Sequence, residues 1–249
     1  MWNAFWHTFF FDPVYNLLIF IAGHVPQGDV GIAIIVFTLV AKVLLLPLSL
    51  RVARTQHVMR VLEPELNRIK EQHKDDREAM ARKTMEAYRE AGANPLSSVL
   101  LTVLQVFLMF ALFFAVSRGG GIKLPAVNTE LLYGFVKDPG LLNMHFLGVF
   151  DISAKSALLA FLAGATQFVQ GYLSLPPLPP KTNAEPNFKE DLTRSMHLQM
   201  RYVMPVIVGV GAYAFSAAIA LFWTVSNLAS IVQELFINHK IPDRHKPLT

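Results

Sequence analysis

The sequence predicts an all-α membrane protein. The expected parts are five transmembrane helices with a polar groove, an N-terminal interfacial helix and a cytoplasmic two-helix hairpin. Three observations carry this. Of 249 residues, 53% are hydrophobic and 16% charged, with mean hydropathy +0.40; a soluble domain carries about 25% charged residues. Apolar runs of the ~20 residues needed to cross hydrocarbon as a helix recur along the chain. Lys and Arg are shared unequally among the segments between those runs, as membrane topology requires.

Residues 1–29 form the first segment. It has no Lys or Arg, so it lacks the basic start of a secretory signal. Asp12 and Pro13 suit an N-cap and first helical position. The apolar run from there to Ala22 is short for a span, so an extracytoplasmic interfacial helix is expected, with Trp2, Trp6 and Tyr15 at headgroup level; the alternative is a first transmembrane span. The first span is expected at 30–50. Residues 51–95 hold ten basic and eight acidic side chains, closely mixed. Met59, Leu62, Leu66 and Ile69 repeat at 3-4-3 spacing, a coiled-coil seam. Asp75-Asp76 interrupts, and Gly92 with Asn94-Pro95 supplies a helix stop, so the segment reads as a helical hairpin. The second span is expected at 96–116, an extracytoplasmic loop at 117–155 and the third span at 156–175. Residues 176–201 open with closely spaced prolines, a semi-extended loop. The apolar stretch 202–237 has 36 residues, which suits two short spans turning near Ser216-Ala217. A tail covers 238–249.

Orientation follows from the basic residues. Segments 51–94, 175–201 and 238–249 carry 10, 4 and 3, giving 17 on one side; 118–155 carries 4, Lys42 stands alone, and 17 + 4 + 1 is the total of 22. The positive-inside rule then puts the N-terminus outside and the C-terminus in the cytoplasm.

Lys42 is the one charge deep within a span. A rise of 1.5 Å per residue sets it about 18 Å from the outer end and about 12 Å from the inner end, beyond snorkelling reach. A lysine at mid-span costs about 2.5–3.5 kcal/mol. Each of four spans also carries a polar stripe: Thr38, Lys42 and Ser49; Ser98, Thr102 and Gln105; Thr166, Gln167 and Gln170; and Trp223, Ser226, Asn227, Ser230 and Gln233. Polar side chains in spans face protein or water, so the stripes are expected to converge on a wet cavity, with Pro47 kinking the first span. The alternative is interhelical glue, with Lys42 paired to Glu234.

The chain has no cysteine, which removes disulfides, thiolate zinc sites and iron–sulfur clusters. No HExxH, GxSxG or P-loop motif occurs. Lys42 and Ser49 lie about 10 Å apart along one helix, too far for a catalytic dyad. The expectation is no enzyme activity and no cofactor.

Three stretches are specific enough to carry a resemblance: "GIAIIVFTLVAKVLLLPLSLRVART", "LEPELNRIKEQHKDD" with "REAGANPL", and "MRYVMPVIVGVGAYAFSAAIALFWTVSNLASIVQELFI". Together they resemble the YidC family of membrane protein insertases, over nearly the whole chain and in the same order. The resemblance implies an insertase and chaperone of the bacterial inner membrane, with a hydrophilic groove open to cytoplasm and lipid. It implies nascent membrane proteins and membrane lipids as partners, the ribosome and Sec translocon as further candidates, and no direct nucleic-acid contact. The family's groove arginine falls on Lys42, and Thr38, Gln170 and Trp223 match other groove positions; Gln105 and Asn227 complete the expected groove from the stripes. Lysine keeps the charge but loses the planar fork of donors. Leu101 and Val106 stand where the family often has prolines, and its large extracytoplasmic domain is not expected. Two other readings use the same residues: a small-molecule transporter or channel through the cavity, and a ribosome or translocon adaptor acting through the hairpin.

Overall fold

The computed structural model describes residues 2–74, 76–94, 96–174 and 194–240. Helix α1 (Trp2–Trp6) runs through a π-helical turn, His7–Phe11, into α2 (Asp12–Ala22). Helices α3 (Val30–Val61), α4 (Glu63–Gln72), α5 (Arg77–Glu90) and α6 (Leu96–Ser117) follow. A loop then carries a small antiparallel hairpin, β1 (His145–Phe146) and β2 (Phe150–Asp151), with Phe146 opposite Phe150. Helix α7 (Ala157–Ser174) precedes the undescribed residues 175–193, in which the expected proline-rich loop falls. A second π-helical turn, Gln199–Val203, leads into α8 (Met204–Ala214), and α9 (Ala217–Lys240) closes the described chain. The expected tail beyond residue 240 lies outside the described residues.

Among the described residues, five helices are long and apolar enough to cross a membrane: Ala4–Ala22, Val30–Gln56, Leu96–Gly121, Ala157–Ser174 and Ala217–Phe236. The chain is therefore an all-α, multi-pass membrane protein. The set includes the N-terminal helix, because Asp12-Pro13 does not start a new helix as the sequence suggested. Proline lacks an N–H and collides with the carbonyl four residues back. The π-helical turn before Pro13 widens the backbone there and lets the helix continue. Pro205 follows a π-helical turn in the same way. Asp12 meets His7 Nδ1 at 2.9 Å across the first of these turns.

Two compact units are distinguished, Met1–Lys42 with Phe107–His245 and one built on Val43–Val106. In the first, the core joins Tyr15, Leu18 and Ile19 of α2 to Ile34 and Phe37 of α3 and Leu112 of α6, all fully or almost fully buried. Helix α7 packs on both α8 and α9. The α7–α8 crossing is close because Gly164 meets Gly209. A Cβ on Gly164 would stand 3.1 Å from the Pro205 carbonyl oxygen and 3.4 Å from Gly209 Cα. Small residues at i and i+4 are how membrane helices bring backbones together.

The loop between α6 and α7 has little regular structure, so side chains must satisfy its buried backbone. Tyr15 accepts at its hydroxyl from Asn128 N–H at 2.8 Å. Asn16 donates to the Leu131 carbonyl at 2.8 Å and accepts from Tyr133 N–H at 2.7 Å. Tyr15 is thus fully buried, with its hydroxyl engaged by the loop folded over α2.

In the second unit α4 packs on α5. The seam is interrupted between its members, since α3 ends at Val61 and Leu62 precedes α4. Leu66 is buried; Met59, Leu62 and Ile69 are half-buried. Asp76 caps α5 by accepting from Glu78 and Ala79 N–H. Gly92, at φ +68°, makes the left-handed turn that ends it.

Candidate functional site: the intramembrane lysine and its neighbours

Lys42 is half-buried on α3. Its Nζ donates to Ser230 Oγ on α9 at 2.8 Å, and that hydroxyl donates to the Ser226 carbonyl at 3.0 Å. A hydroxyl can accept and donate at once, so Ser230 relays the lysine onto the α9 backbone. Lys42 makes no ion pair among the described residues, and Glu234, one turn beyond Ser230 and buried, is not its partner. An ammonium has three N–H donors; one is used on Ser230, and among the described residues no carboxylate pairs with it.

Other predicted residues fall into separate groups. Asn227 faces α7, donating to Thr166 Oγ1 at 3.3 Å and weakly to the Ala163 carbonyl at 3.4 Å. Gln170 donates to Ser174 and accepts from Gln167, all on α7. Trp223 is half-buried and lies beside Gly211 of α8. Thr38 is buried, and its hydroxyl donates to the Ile34 carbonyl in its own helix. Gln105 is half-buried in α6 and belongs to the second unit.

Many stripe hydroxyls are satisfied by their own helix. Thr38, Thr102 and Thr166 each donate to the carbonyl four residues back, the usual resort of Thr in an apolar helix. Among the described residues no cluster could hold a metal ion. Ser230 stood in the predicted stripe but was not singled out; its signal was its place one turn after Ser226 on the face of α9. Asp29 was missed altogether. It sits just before the apolar run of α3, the ordinary signature of an N-cap. Its Oδ1 accepts from Gly31 and Ile32 N–H and its Oδ2 from Leu147 N–H.

Several helices able to cross a membrane, with Lys42 of one bonded to Ser230 of another, define a multi-pass membrane protein. The family model described as 60Kd inner membrane protein matches residues 20–244, and the chain belongs to that family. Among similar proteins is the membrane protein insertase YidC of Oceanobacillus iheyensis, 29% identical over 240 residues, with 95% of this chain and 84% of that protein covered. That of Fusobacterium nucleatum is 32% identical over 213 residues, covering 86% and 88%. That of Campylobacter jejuni is 30% identical over 244 residues, covering 98% of this chain but 40% of the relative.

Proposed function

We propose that this chain is a membrane protein insertase and chaperone that draws polar, acidic parts of its substrates partway into the bilayer through a groove beside Lys42. The observation that carries the mechanism is the Lys42 ammonium at mid-span, held by the Ser230 hydroxyl and not by a carboxylate. Its positive charge is left to act on a substrate. In low dielectric, opposite charges attract far more strongly than in water, so an acidic segment entering there is stabilised where lipid alone would reject it. The apolar part of the same segment can pass sideways into hydrocarbon, where burial of apolar surface drives it. Thr38, Gln170, Trp223 and Asn227, in the same unit as Lys42, are the groove residues of this reading. Membership of a family whose relatives carry the insertase name supports it; the transporter reading gains no support from them.

The chain is placed in the bacterial inner membrane with its N-terminus outside and its C-terminus in the cytoplasm. α1 and α2 lie along the outer interface and α8 spans with α9. Asn3→Cys and Gln27→Cys then label from outside, as does Glu130→Cys, while Lys70→Cys labels from inside. A spanning N-terminal helix would put positions 3 and 27 on opposite sides. Nascent membrane proteins are the substrates; the ribosome and Sec translocon are the partners that would deliver them.

The test uses substrates of graded negative charge in an insertion assay. Lys42→Arg keeps activity, Lys42→Ala loses it most for the most acidic substrates, and Lys42→Glu fails most severely. Equal loss for all substrates with Lys42→Ala would make Lys42 a helix tie and nothing more.

A further inference from the structure

We propose that the β1–β2 hairpin, with Leu141 ahead of it, forms an apolar wedge of Leu141, Leu147 and Val149 embedded in the lipid of the adjoining leaflet. The depth of this wedge is fixed by hydrogen bonds to the starts of two membrane-crossing helices. Leu147 N–H donates to Asp29, the cap of α3, at 2.9 Å. Val30 N–H donates to the Asn143 carbonyl at 2.9 Å, and Asn143 N–H to the Gly28 carbonyl at 3.0 Å. On the other side Ala217 and Ala218, the first residues of α9, donate to the Ala154 and Ile152 carbonyls at 2.7 and 3.0 Å. The apolar windows of those helices begin at Val30 and Ala217. The hairpin is therefore level with the points where α3 and α9 enter hydrocarbon.

Its two faces differ sharply. Phe146 is buried and fills the space over Gly31, where a Cβ would overlap its ring. Leu147 and Val149 alternate outward, 65% and 71% exposed, and Leu141 is 80% exposed. Leu147 also occupies a left-handed backbone conformation, φ +53°, beside Gly148 at +72°. Asn or Gly is the ordinary choice at such a turn; a leucine there accepts backbone strain to keep a large apolar side chain at the tip. Cation–aromatic pairs mark the same ends of the bundle: Lys155 lies 5.7 Å from the Tyr213 ring centre and Arg118 5.4 Å from that of Phe114. Basic and aromatic side chains together are typical of the headgroup layer. Apolar side chains held at that level by backbone bonds meet acyl chains.

The chain has no cysteine, so single-cysteine variants can carry nitroxide labels directly. The full chain is reconstituted in phosphatidylethanolamine–phosphatidylglycerol vesicles with labels at Leu141→Cys, Leu147→Cys, Val149→Cys and, as the exposed control on the same loop, Glu130→Cys. Collision with oxygen should exceed collision with a water-soluble nickel chelate at 141, 147 and 149, and the preference should reverse at 130. Nickel preference at 147 and 149 would overturn the proposal. Protection from both reagents would overturn it too, since a protein partner or second copy would then cover the wedge. Val149 is free of positive-φ strain, so its label reports even where Leu147→Cys distorts the turn.

Discussion

The loop 118–155 and the helical segment 43–106 invert the usual link between regularity and order. The helical segment is regular, yet among its described residues few side chains are buried: Val52, Thr55, Leu66, Ala87 and Ala93. Helices satisfy their own backbone, so they need little from elsewhere to exist. The loop is irregular, yet Asn128, Val136, Leu142, Met144, Phe146 and Ile152 are buried in it. Its backbone polar groups had to be met by Tyr15, Asn16 and Asp29 from outside. Local regularity and long-range anchoring are alternative answers to the same demand for hydrogen bonds.

The largest break in that comparison should come from two aspartates that do the same local job. Asp29 caps α3 and holds Leu147 besides, and it is buried. Asp76 caps α5 in the open. Asp29→Ala should destabilise by about 3 kcal/mol, because buried N–H groups lose their acceptor. Asp76→Ala should lose only about 1 kcal/mol. Unfolding in detergent, followed by circular dichroism, measures both; equal losses would mean the loop is not anchored through Asp29.

Next in size is the hairpin seam. Leu66→Ala should cost about 2–3 kcal/mol through the cavity it leaves. The exposed pair Arg68→Ser with Lys70→Ser should stay within about 0.5 kcal/mol. Limited proteolysis across 62–90 reads the difference. Equal resistance in both variants would count against packing of α4 on α5.

The smallest effect is electrostatic. The Ser153 hydroxyl, 2.6 Å from Asp151, and then the Ser153 N–H hold the Asp151 carboxyl below the usual carboxylate range. A lowered folded-state pKa adds stability above the unfolded value of about 3.9 and loses it as pH falls through the folded value. Melting temperatures from pH 6 to 3 should therefore fall slightly less steeply for Asp151→Asn. In the helical segment Lys83, 2.8 Å away, lowers Glu86 in the same direction, and Glu86→Gln should show a still smaller change, since solvent screens that pair. A steeper fall in either variant would reverse the sign.

Hydropathy and charge alone carried the helical membrane class, because it depends on what neighbours what along one strand of sequence. The break at 215–216 could be read from length, as could the stop at Gly92 from its turn chemistry. Helical periodicity also put Ser226 and Ser230 on one face. Which helix that face meets is a different question. Only packing decided that Lys42 reaches Ser230 and not Glu234, that Asn227 turns to α7, and that Thr38 bonds its own helix. Pro13 reads as a helix start, but it is absorbed by a π-helical turn, as Pro205 also is, since the flanking helix continues by widening one turn. Tyr15 looked like an interfacial residue by type, and its burial came from a loop over a hundred residues away. Contacts between segments distant in sequence are set by how apolar faces and close-approach glycines fit together, and no local pattern along the chain contains that information.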